Sequence, residues 1–192
     1  SAIVLIVPMV AASSYLFMAF GFGIDMLNGE LVHWLRYYEW ALSTPLLVLG
    51  ALVLTQDSKL MIKGMFADFL MIMTGFLAEV APNLELRIAA FSFSSILFLY
   101  LMYIVGIKAA RMMEDSVEQL QQLFSKLKLI TVGLWITYPL VWVLGPDIVG
   151  LLQGDNLFIT YMALDLASKI GYAYFIIDGV GSVDSGSSGK WL

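Results

Sequence analysis

The 192-residue chain contains no cysteine and a single histidine, His33. The first absence excludes disulfides, thiolate metal centres and cysteine nucleophiles, and the second leaves neither a histidine zinc site nor a Ser-His-Asp triad. Nothing in this inventory points to an enzyme. Charge is scarce as well: 13% of the residues are charged, about half the share usual in soluble domains. With 10 Lys and Arg against 15 Asp and Glu the net charge is −5, so the basic footprint of a nucleic-acid binder is missing.

What the chain has in quantity is apolar surface, 60% of its residues. These residues gather in six blocks, Ala2–Phe22, His33–Leu54, Ile62–Val80, Ile88–Ala109, Leu127–Leu144 and Leu157–Ile177. Each is close to the roughly 20 residues a helix needs to cross a bilayer. Connections such as Thr55-Gln56-Asp57-Ser58-Lys59 and Ala81-Pro82-Asn83-Leu84-Glu85 are short, which makes consecutive helices antiparallel neighbours. The period-two alternation of a membrane barrel is missing. The expected fold is an all-α membrane protein, an antiparallel transmembrane bundle of six spans over residues 1–178. Residues 179–192, rich in Gly and Ser, read as a flexible tail. Lys59, Lys63, Lys108, Arg111, Lys126, Lys128 and Lys190 fall on one side of this topology and only Arg87 on the other. The first side, with both termini, is therefore expected to be cytoplasmic, in a multi-pass protein of the cell membrane. Leu120, Leu123, Phe124 and Leu127 recur at helical spacing in the polar stretch 111–128, which predicts an amphipathic extension beyond the membrane.

Four ionisable residues lie well inside the apolar blocks: Glu39, Asp68, Asp165 and Lys169, with Arg36 one turn before Glu39. An ionised side chain at mid-membrane costs about 2.5 to 3.5 kcal/mol even on lenient scales, so such residues pair with one another or line a polar pathway. Asp165 and Lys169 share a helix face at i,i+4, and Arg36, Glu39, Trp40, Ser43 and Leu47 form a second stripe. A structural ion-pair network is one reading. A functional site is the other, because a lysine kept positive among carboxylates is also the residue that forms Schiff bases with carbonyl ligands. Trp135, Tyr138 and Trp142 at i, i+3 and i+7, with Trp40, Tyr15 and Phe91 on other blocks, supply walls for a long, flat, apolar ligand.

These segments resemble the microbial (type 1) rhodopsin family, in its archaeal bacteriorhodopsin and sensory branches. Arg36-Tyr37-Tyr38-Glu39-Trp40-Ala41-Leu42-Ser43-Thr44-Pro45-Leu46-Leu47 is similar to the family's third helix. Leu134-Trp135-Ile136-Thr137-Tyr138-Pro139-Leu140-Val141-Trp142 is similar to the sixth, and Leu164-Asp165-Leu166-Ala167-Ser168-Lys169-Ile170-Gly171-Tyr172 to the lysine-bearing seventh. The resemblance implies all-trans retinal on Lys169 as a protonated Schiff base, with Glu39 and Asp165 as counterions and Arg36 organising charge on the outer side. It implies a pocket lined by Trp40, Met71, Gly75, Phe91, Trp135, Tyr138, Pro139 and Trp142. It also implies hydrogen bonds from Tyr15 and Tyr138 to Asp165, and a Thr44–Asp68 pair between the third and fourth helices. Pro8, Pro45 and Pro139 then fall at tolerated mid-membrane positions.

The departures from the family pattern are informative. The primary counterion is Glu39 where the pumps carry Asp, and Ser43 stands beside it in place of Thr. Gly50 occupies the position of the inner proton donor. The chain starts within what corresponds to the second of seven helices, so the first is expected to be absent or separate. The resemblance implies light-driven outward proton translocation, with Glu39 as acceptor and exit past Arg36 toward Asp147. A slow photoreceptor signalling to a membrane transducer is the alternative, with Ser168 placed to reach Tyr138. A light-gated cation channel ranks lower, since the first block brings no acid to line a pore, and a chloride pump lower still. A non-rhodopsin transporter relaying protons over Asp68, Asp165 and Lys169 ranks last. The partners implied are the lipid bilayer, protons and a second copy of the chain, with no nucleic acid.

Overall fold

Where water is excluded, a backbone must satisfy its own N–H and C=O groups, and for separate apolar blocks only the helix does so. The computed structural model describes residues 3–27, 30–146 and 148–186 and turns every block into a helical rod. The helices are α1 Ile3–Ala19, α2 Trp34–Leu52, α3 Ser58–Val80, α4 Leu84–Tyr103, α5 Ala110–Met112, α6 Glu118–Lys128, α7 Thr137–Leu144 and α8 Gly154–Gly186. A π-helical segment, Ile104–Ala109, joins α4 to α5, and another, Leu129–Leu134, leads from α6 toward α7. Among the described residues these eight helices make six rods. Asp57 and Asn83 start α3 and α4 by accepting, at 3.0 Å each, the free amides of Leu60 and Leu86.

Among the described residues, four rods are both long and apolar enough to cross a bilayer: Trp34–Thr55, Ser58–Val80, Leu84–Met112 and Glu118–Leu144. α1 is apolar but has 17 residues, and α8, with 33, is interrupted by Asp165 and Lys169. The rods close on themselves: α1 packs on α2 and α8, α2 on α3, α3 on α4, and α6 and α7 on α8, while the two π-helical segments touch. Burial is inverted relative to a soluble domain. Leu42, Phe66, Leu99 and Leu129 project outward at 62–67% exposure, whereas Asp68, Glu39, Asp165 and Lys169 are at most 2% exposed. Such a bundle presents hydrocarbon to lipid and keeps its polar groups for itself. As the spacing of Leu123, Phe124 and Leu127 predicts, α6 is amphipathic and buries these three.

Two features differ from the sequence expectations. The connection after α1 is an antiparallel hairpin of β1 (Asp25–Leu27) and β2 (Glu30–Val32), registered Asp25 on Val32 and Met26 on Leu31. Its signal was the Asn28-Gly29 dipeptide, the pair favoured between hairpin strands, although residues 28 and 29 lie outside the described ones. Gly23, at φ +74°, leads into the hairpin in a conformation and a space that admit no side chain, because a Cβ there would overlap Leu35. The expected tail from residue 179 is the second difference: α8 runs on to Gly186, adding turns at low cost to a helix already formed.

Close approach of α2 and α3 depends on Gly64, where a Cβ would lie 2.5 Å from Leu52 Cδ1 and 3.0 Å from Val48 Cγ1. Gly64→Val is expected to destabilise the bundle by about 1–3 kcal/mol through overpacking, read as a lowered midpoint of thermal unfolding in detergent.

Candidate functional site

Helix periodicity on α2 brings Arg36, Glu39, Trp40, Ser43, Thr44 and Leu47 to its buried face, and on α8 it aligns Asp165, Ser168, Lys169 and Tyr172. The two faces meet. Lys169 Nζ donates to Glu39 Oε1 and Oε2 at 2.7 and 2.6 Å and to both Asp165 oxygens at 2.6 Å. The Trp40 indole donates to Asp165 Oδ1 at 3.0 Å, and the Tyr138 hydroxyl donates to the same oxygen at 3.4 Å. One cation thus sits between two buried carboxylates, an arrangement that survives in low dielectric only because each charge has a partner at hydrogen-bond distance.

An apolar crevice opens from this cluster. Its walls include Trp40, Met71, Gly75, Phe91, Trp135, Tyr138, Pro139 and Trp142, the eight pocket residues that the resemblance implies, with Lys169 at one side. Trp40 and Tyr138 meet edge to face at 5.3 Å, and Phe91 stacks on Trp142 at 3.9 Å. Pro139 shapes the wall, because it has no N–H to return to the Trp135 carbonyl. That carbonyl accepts from the Tyr138 amide at 3.2 Å instead, and the Leu134 carbonyl accepts from the Thr137 hydroxyl at 2.5 Å. The helix therefore pauses between the π-helical segment and α7. A methyl at Gly75 would come within 3.5 Å of Ser94 Oγ, which donates to the Met71 carbonyl.

Further out, Arg36 is buried with its guanidinium 4.6 Å from the Tyr161 ring centre. It borders a cavity of about 490 Å³ shared with Glu79, His33, Gln153 and Asp155. Glu79 has no place among the sequence candidates; its signal was an acid in the last turn of the third block, and in the fold it accepts from Tyr37 at 3.2 Å. His33 packs on Phe158 at 5.1 Å. Burial and the neighbouring Arg36 push its pKa down to about 4, which keeps it neutral at ordinary pH. The Thr44 hydroxyl donates to Asp68 at 2.6 Å, tying α2 to α3 as expected.

Three sequence expectations are corrected or left aside. Tyr15 is buried against Phe158 and makes no hydrogen bond to Asp165, and it does not border the crevice; the Trp40 indole of α2 fills that role. Ser168 accepts from the Trp135 indole at 3.0 Å and does not bond Tyr138, because its own turn of α8 faces Trp135. Asp147 lies outside the described residues.

Residues 1–183 match the family model described as bacteriorhodopsin-like protein. The chain belongs to the bacteriorhodopsin-like family. This rhodopsin is 33% identical over 183 residues to Bacteriorhodopsin-II of Haloarcula marismortui, covering 91% of the chain and 72% of that protein. It is 37% identical over 171 residues to Sensory rhodopsin-1 of Halobacterium salinarum, covering 88% and 71%. The fold superposes on the crystal structure of thermophilic rhodopsin from Rubrobacter xylanophilus with a TM-score of 0.91 and 28% identity, over 98% of this chain and 85% of that one. The family's cofactor is retinal, held through a lysine Schiff base. The crevice fits that group: flat aromatic walls for a polyene, and a buried amine with two counter-charges at its polar end.

Lys169→Met removes the cation and strands two buried carboxylates. A loss of about 3–5 kcal/mol is expected, measured by unfolding of the retinal-free protein. Adding Glu39→Gln should recover part of the deficit, because it removes one of the two stranded charges.

Proposed function

We propose that this rhodopsin moves protons outward under illumination, with retinal attached at Lys169 and Glu39 as the first proton acceptor. The carrying observation is the Lys169 nitrogen held between two buried carboxylates beside an aromatic crevice. Retinal bound there supplies absorption of visible light and a light-driven change of geometry at that nitrogen. Trp40, Met71, Gly75, Phe91, Trp135, Tyr138, Pro139 and Trp142 hold its apolar length and exclude water. Glu39 and Asp165 keep the proton on the Lys169 nitrogen in the dark.

The two acids differ in their other partners. Asp165 also accepts hydrogen bonds from Trp40 and Tyr138, so its Oδ1 is already engaged. Glu39, bonded to Lys169 through both oxygens, takes the proton. From Glu39 the way out leads past Arg36 into the cavity bordered by Glu79 and Asp155, toward the connection that carries Asp147. The Lys and Arg residues at the opposite end support reading that end as the cytoplasmic one.

One observation favours a second reading, a photoreceptor acting on a membrane transducer. At the inner-donor position stands Gly50, with the Tyr172 hydroxyl 2.8 Å from where its Cβ would be, so nothing there returns a proton quickly. The relationship to Sensory rhodopsin-1 agrees with it.

Light given to cells making the pigment should acidify the medium, and a protonophore should abolish the change. No pH change together with a deprotonated state lasting seconds decides for the photoreceptor. Lys169→Ala should form no visible pigment, and retention of full colour overturns the attachment. Glu39→Gln should move absorption to longer wavelength and stop proton release, checked by spectrum and flash photolysis.

A further inference from the structure

The inner side of Lys169 is occupied by one phenol. Tyr172 lies three residues further along α8, on the same face of the helix and 2% exposed. Its hydroxyl donates to the Leu47 carbonyl of α2 at 2.5 Å. The same oxygen lies 2.8 Å from where a Cβ on residue 50 would stand, with Cε1 at 3.4 Å and Cζ at 3.6 Å. The ring belongs to the apolar inner cluster with Leu47, Val48, Ala51 and Ile130. Gly50 is therefore more than a lost carboxylate: the room a side chain would need is taken by Tyr172 Oη. Any larger residue must push the phenol away from Leu47.

Resting on the proton-moving reading above, we propose that Tyr172 is a positioning residue that latches the inner route to Lys169. Its hydrogen bond to the Leu47 carbonyl, seated over Gly50, fastens α8 to α2 immediately inward of the site. A proton reaches the Lys169 nitrogen from the inner side only after this bond opens. The phenol itself transfers no proton. It fills the space that water or a donor would use, and it sets how long the deprotonated nitrogen persists.

Two measurements test the latch. On the retinal-free protein, thermal unfolding of Gly50→Ala, Tyr172→Phe and the double variant forms a cycle. Gly50→Ala should lower the midpoint in the parent chain and have little further effect once Tyr172→Phe is present, because the remaining ring atoms lie at ordinary contact distance. Independent effects of the two substitutions overturn the steric contact.

On the retinal-loaded protein, flash photolysis reads the lifetime of the deprotonated state. Tyr172→Phe, which keeps the ring and so the fold, should shorten it roughly five- to ten-fold, the size that loss of one buried hydrogen bond supports, and Gly50→Ala should shorten it too. A longer lifetime in Tyr172→Phe overturns the latch and makes the phenol a proton donor. An unchanged lifetime beside a coupled thermal cycle also overturns it, leaving a packing contact alone. Absence of any light-driven deprotonation in the parent chain sinks the proton-moving reading and the latch with it, while a coupled cycle would still stand for the contact.

Discussion

The structure depends on one ammonium that has nowhere else to go. Lys169 lies in the middle of a 33-residue helix at 1% exposure, where an unpaired charge is untenable. It persists because Glu39 reaches it from α2 and Asp165 from one turn earlier on its own helix, all contacts lying between 2.6 and 2.7 Å. That bridge fixes the rotation of α2 against α8. Once their polar faces are turned inward, the rest of the bundle follows, with Leu42 and Ile170 left facing outward.

The rings around the bridge combine structure and chemistry. Trp40 contributes its indole N–H to Asp165 and a T-shaped contact to Tyr138, so one residue satisfies a carboxylate and walls the crevice. Trp135 likewise walls the crevice while its indole donates to the Ser168 hydroxyl. Pro139 interrupts the hydrogen-bond ladder at this depth, and the freed carbonyls are taken up locally by Tyr138 and Thr137. Irregular backbone is tolerated there because it borders a cavity inside the protein and is not exposed to lipid.

The two ends of the site differ in kind. Toward the start of α8 from Lys169 lie Arg36, Glu79, His33 and Asp155 around an open cavity with room for water. Toward its end lie Tyr172, Leu47, Val48 and Ala51, packed closely enough that glycine is the residue that fits at position 50. This asymmetry underlies both proposed readings, because an open half favours release of a proton and a closed half favours its slow return.

Much of this was legible in the sequence. Block lengths announced the six rods, i,i+4 spacing paired Asp165 with Lys169, and the motifs around Glu39, Trp135 and Lys169 marked the family and the main rings of the crevice. These properties are local or periodic, and a helix converts them directly into faces. Only the tertiary structure decided which indole serves Asp165 in place of Tyr15, which acid borders the outer cavity, and why residue 50 has no side chain. Each of those depends on where side chains as much as 125 residues apart in the chain, or on opposite walls, come to rest. Spacing along one helix carries no information about the distance across a bundle; that distance is set by how all the helices pack at once.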